Sequence, residues 1–224
     1  MNVKTEIRER PIPFSGEMVI EILDGRKTQT RRAIKIPPYA RIKDFPYYDS
    51  RGIQICYDTT GLATFEWLLC PYGQVGDRLW VRETWATEEM FNGMSATQIE
   101  ETKAATIPFW YKIHDFQLDR EGQIRGRWRS PRFMPRWASR ITLEITGVRV
   151  ERLQEISSQE AKWEGIPRCC PECMFEIEGA PCVCVDMFRD IWDSLNAKRG
   201  YGWDTNPWVW VMEFRRTEQT TRKC

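Results

Sequence analysis

The chain has 224 residues, 42% apolar and 29% charged, a globular balance that excludes intrinsic disorder. Its 33 Lys and Arg face 32 Asp and Glu, a formal net charge of +1 that excludes a uniformly basic nucleic-acid coat protein or a polybasic tail. A chain this long buries about 70% of its unfolded surface and needs no staples. No run of ~18 apolar residues is present to span a membrane. Residues 1–10 are charged, without the apolar stretch of a signal peptide, so a cytoplasmic location is expected. Eleven Trp is an unusually high count, and eight Cys without an export signal point to metal or free thiols rather than disulfides. The single His, His114, argues against a His-centred mechanism.

In chain order, Ser15 can cap a helix and Glu17 suits its first turn. Met18 with Ile22 and Val19 with Leu23 give that helix an apolar face, and Gly25 ends it. The segment Arg26-Lys27-Thr28-Gln29-Thr30-Arg31-Arg32 reads either as a solvated basic loop or as a site. Residues 37–75 read as irregular, with Pro37, Pro38, Pro46 and Pro71 among turn formers. The alternating run from Arg78 through Trp80 and Arg82 to Trp85 predicts a strand. Residues 86–110 have room for a short helix, and 110–116 for a strand. Over 120–140, Arg120, Arg125, Arg127, Arg129, Arg132, Arg136 and Arg140 face only Glu121, with Trp128, Phe133 and Trp137 interleaved.

Ile141, Leu143 and Ile145, then Val148 and Val150 after Gly147, predict a long strand bent at the glycine. Ser157-Ser158-Gln159-Glu160 is a capping box opening a short helix that stops at Gly165. Asp186 can cap a third helix with Phe188, Ile191, Trp192 and Leu195 on its apolar face, and residues 207–216 predict a buried final strand. Strands mixed with short helices, without β–α alternation, predict an α+β fold with a small barrel. The expected organisation is one domain over residues 1–217, with insertions at 37–75, 86–135 and 166–185 and a flexible tail over 218–224.

Three constellations could carry chemistry. Lys27 and Thr30 are close enough in sequence for an amine and a hydroxyl to meet, and a lysine desolvated beside Arg31 or Arg32 loses its proton more readily and can act as a base. Cys170-x-x-Cys173 followed by Cys182-x-Cys184 supplies four thiolates for a closed, structural Zn2+ site, with Cys169 as a competing ligand and free or redox thiols as the alternative. The arginine–aromatic stretch pairs phosphate-binding groups with stacking rings, or else turns its tryptophans into the core. Trp80, Trp208 and Trp210 alternate in strands and read as core. Trp85, beside Arg82, is the better candidate for a base-stacking wall.

Gly25-x-Lys27-x-x-Thr30-x-Arg32 after a short helix resembles the signature of the ASCH family, whose fold is a PUA-like β-barrel. Gly76 to Val81, Ile141 to Val150, the Ser157 helix and the strand through Trp208 to Phe214 agree in order. More narrowly, Phe14 to Met18, Cys70-Pro71-Tyr72-Gly73, Met134 to Arg140 and Asn206 to Val211 resemble phage- and prophage-encoded members, which would place the protein in a host cytoplasm. Small bacterial members include amidohydrolases that deacetylate N4-acetylcytidine. Matched residue by residue, the resemblance implies Lys27, Thr30 and Glu164 as catalytic residues. Arg32, Arg82, Trp85, Arg136 and Trp137 are the candidate substrate-binding residues for a modified nucleoside or single-stranded nucleic acid. The rival expectations are a non-catalytic reader of modified bases in RNA or DNA, an ASCH-type ribonuclease and a virion or assembly component.

Overall fold

The structure is a computed structural model that describes residues 6–36, 40–41, 48–49, 52–58, 63–102, 108–114, 124–166 and 183–217. It is an α+β fold built on a five-stranded sheet. The first elements are β1 (Glu9–Pro13), α1 (Gly16–Leu23) and β2 (Gln29–Ala33). Next come β3 (Ala40–Arg41), β4 (Tyr48–Asp49), β5 (Gly52–Asp58) and β6 (Ala63–Leu68). Then follow β7 (Arg78–Arg82), β8 (Trp85–Ala86), α2 (Ala96–Glu101) and β9 (Trp110–Tyr111). The last are β10 (Thr142–Arg152), α3 (Ser158–Trp163), α4 (Val183–Asn196) and β11 (Trp208–Arg216).

The main sheet runs β1-β7-β10-β11-β2, with β1 parallel to β7 and the other pairs antiparallel. β1 carries Pro11 and Pro13, which lack an N–H, and accordingly lies at an edge. β10 shifts register between Ile145 and Gly147, the expected bend. β11 is buried along Trp208 to Met212, which explains its unbroken apolar run. Val209 and Val211 pack with Leu153, Ile156, Ala161, Phe188 and Trp192 under α3 and α4, while Phe214 joins Ile12, Phe14, Val19 and Leu143 in the α1 core.

Four sequence expectations change here. Among the described residues the sheet is open rather than a closed barrel, with β1 and β2 at the two ends of the strand order. A side chain reaches across instead: Arg32 Nη2 donates to the Pro13 carbonyl at 2.9 Å, and its guanidinium lies 5.2 Å from the centre of the Phe14 ring. The stretch 37–75 is not irregular throughout, because β5 pairs with β3, β4 and β6. Residues 29–33 are strand rather than loop. Asp186 sits within the first turn of α4, which already begins at Val183, and Leu195 is exposed. No helix among the described residues is long and apolar enough to cross a membrane.

Candidate functional site

The site grows from two helix ends. Ser15 caps α1 by accepting from the Met18 N–H at 3.4 Å, and Gly25, with φ 74°, turns the chain out of the helix. The N–H groups of Arg26 and Lys27 both donate to the Glu21 carbonyl, at 2.9 and 3.0 Å. The Thr28 N–H then donates to the carbonyl of Trp163, the last residue of α3, at 2.9 Å. That one backbone bond sets Lys27 beside Glu164. α3 itself is fixed by its capping box between Ser157 and Glu160, and Gly165 leaves it with φ 89°. A Cβ on Gly165 would lie 3.2 Å from the Lys27 Cβ, so the two segments touch through the glycine.

Lys27 Nζ donates to Glu164 Oε2 at 2.9 Å and to the Glu164 backbone carbonyl at 2.6 Å. The second bond satisfies an acceptor left over at the helix end. The pair is nearly sealed, with side-chain exposure of 0% for Lys27 and 5% for Glu164. Burial pulls the Lys27 ammonium below the ordinary lysine range and Arg32 and Arg31 push the same way, against the opposing pull of Glu164. The Lys27 ammonium also lies 5.7 Å from the centre of the Phe14 ring, the ring that Arg32 covers. Thr30 alternates with Arg31 along β2 and therefore shares a strand face with Arg32; it is 3% exposed.

The other oxygen of Glu164 belongs to a residue the sequence reading left in the background. Arg31 Nη1 donates to Glu164 Oε1 at 3.3 Å, and Nη2 lies 3.0 Å from Glu151 Oε2 and 3.2 Å from Glu160 Oε1. Arg149 in turn binds Glu151, Glu160 and Glu213, and reaches Gln29 Oε1 at 3.3 Å. Glu160 is held below the usual carboxylate range: burial works to raise it, and the Ser157 backbone and hydroxyl, Arg31 and Arg149 outweigh that. The signal for this network was present as charged residues at alternate positions of otherwise apolar strands, Arg149 with Glu151 in β10 and Glu213 in β11.

The remaining candidates disperse. Trp85 is 0% exposed, with its ring packed by Phe109, Trp137 and the Arg129 guanidinium, so it is core and not a pocket wall. Trp137 belongs to the same aromatic cluster, edge-on to Trp85 at 6.1 Å. Arg82 stacks on Trp80 and donates to the Arg132 carbonyl. Arg136 is bound to Glu9 at 2.8 Å and to Thr142 at 3.2 Å. Arg129 donates to the carbonyls of Phe91 and Met94, so this arginine of the basic stretch is an internal clamp. Cys169, Cys170, Cys173 and Cys182 lie outside the described residues, as do Arg120 and Glu121. Cys184 is buried in the α3–α4 cluster.

The chain matches no family model, no curated protein and no solved structure.

Proposed function

We propose that this is an ASCH-type protein whose open five-stranded sheet is a variant of the PUA-like fold, and that it hydrolyses the amide of an N4-acylated cytidine. The observation that carries the reading is the buried contact at 2.9 Å between Lys27 and Glu164, 137 residues apart in sequence, at two of the three positions the resemblance names as catalytic. Thr30 occupies the third position on β2, on the face it shares with Arg32. In the reaction, Lys27 first passes a proton to Glu164 across their hydrogen bond, and the Thr30 oxygen bonds to the acyl carbon as the neutral Lys27 amine takes the hydroxyl proton. The C–N4 bond then breaks, and N4 leaves with a proton delivered through Glu164. Water cleaves the resulting ester and restores the hydroxyl. A direct attack by water activated at Glu164 uses the same groups and gives the same products. Arg32, anchored on Pro13 beside Phe14, can stabilise the oxyanion.

The protein is then a cytoplasmic enzyme, and its substrate is a modified nucleoside, free or in a single strand. A structural Zn2+ on Cys170, Cys173, Cys182 and Cys184, with Cys169 as the alternative ligand, would staple the segment after α3. Cys184 is buried in the apolar cluster under α3 and α4.

One observation favours a second reading. Both oxygens of Glu164 already meet cations, which favours the ionised carboxylate and works against its delivering a proton. A non-catalytic reader would use the same residues. Incubation of purified protein with N4-acetylcytidine separates the two. Release of cytidine and acetate, reduced roughly 100-fold or more in Lys27→Ala, is the enzyme's signature. Saturable binding of the nucleoside without release is the reader's, and absence of both sinks the assignment.

A further inference from the structure

We propose that Arg31 is a positioning residue: braced from behind by Glu151 and Glu160, its guanidinium holds the Glu164 carboxylate in the orientation that meets Lys27. This rests on the reading of Lys27 and Glu164 as the site. Arg31 is 0% exposed at its side chain, and its fork spans three carboxylates at 3.0 to 3.3 Å. It lies opposite Val211 in the β2–β11 register, on the strand face away from Thr30 and Arg32, so a ligand on the Thr30 face does not touch it. It acts on such a ligand only through Glu164.

Stability alone gives poor reason for the arrangement. A buried ion network is often matched or bettered by apolar residues of the same volume. What a guanidinium offers here is geometry. One nitrogen is given to Glu164 while the other is tied to two carboxylates, which a single ammonium cannot reproduce. The brace is itself braced, since Arg149 grips Glu151, Glu160 and Glu213 on the solvent side.

The test uses Arg31→Lys, which keeps the charge and removes the fork, together with Glu151→Gln, which removes one brace. The groups facing the Lys27 ammonium are Glu164, Arg31 and Arg32. A loosened Glu164 supports the ammonium less, so the Lys27 titration, followed by NMR of its side-chain nitrogen, is expected to move down by about one pH unit in Arg31→Lys and in the same direction in Glu151→Gln. Turnover of N4-acetylcytidine is expected to fall about tenfold or more through kcat, with KM little changed. A Lys27 titration unmoved in both variants overturns the proposal, even if both are less stable. If the wild type releases no cytidine but the titration moves, the amidohydrolase reading fails and the positioning role stands.

Discussion

Lys27 is the residue on which the two demands of burial and charge meet. Its ammonium is out of water and survives there because Glu164 supplies a carboxylate and a carbonyl. Removing one partner of a buried pair is expected to cost about 3–5 kcal/mol, so Lys27→Met should lower the urea midpoint markedly. Replacing both, as Lys27→Met with Glu164→Leu, should recover much of that loss. A second single-residue outcome belongs to Trp85. Its side chain is wholly buried against Phe109 and Trp137, and Trp85→Ala is expected to destabilise by about 3–5 kcal/mol in urea titration. At this scale the sequence was informative about identity and weak about surroundings. Lys27 and Thr30 stand out by their spacing and Glu164 only through the family resemblance, while Trp85 passes for a wall because a strand end looks open in one dimension. Arg31 stands out in the sequence only as a cation near Lys27; its grip on Glu164 shows only once β2 lies beside β11 and α3.

Elements reach their places through a few polar joints. Asp77, at the turn into β7, accepts from the Arg8 N–H at 3.0 Å, the Gln74 N–H at 3.2 Å and Arg10 Nη1 at 2.9 Å, tying β1 to β7. Burial works to raise its carboxyl, but those donors outweigh it and hold Asp77 below the ordinary aspartate range. Gly73, with φ 122°, gives the carboxylate room: a Cβ there would lie 2.7 Å from Asp77 Oδ2. A depressed folded-state value contributes stability that is present above the unfolded value of about 3.9 and is lost as pH falls through the folded one. The Tm gap between wild type and Asp77→Asn is therefore expected to be widest near neutrality and to close in acid. Gly165→Ala forces a left-handed backbone on a residue with a Cβ and presses on Lys27 and Glu21; a loss of about 1–2 kcal/mol with impaired turnover is expected. The starts of α1 and α3 and the β10 bend were legible because caps and a glycine mark them locally; the start of α4 was not, since Asp186 lies inside its first turn. The strands of 52–58 and 63–68 were not, although Ile53, Ile55, Tyr57 and Phe65, Trp67 alternate, because prolines and turn formers around them dominated the reading.

Across the whole molecule, β11 is the spine. Its one face closes the α3–α4 cluster, its far end enters the α1 core, and its partner β2 carries Thr30, Arg31 and Arg32. The α+β class followed from element order alone. The open strand path did not, since which strands pair, and whether the ends meet, depends on contacts between residues far apart in sequence. The same long-range pairing brings Lys27 to Glu164, and the meaning of that contact decides everything functional. The most direct measurement is cytidine release from N4-acetylcytidine by wild type and by the Lys27→Met, Glu164→Leu double variant, each checked for folding by its urea midpoint. The expected result is a double variant that folds, with a urea midpoint above that of Lys27→Met alone, and whose turnover has fallen by roughly 100-fold or more. A folded double variant that still releases cytidine at the wild-type rate would contradict it, leaving the buried pair a structural joint and no more.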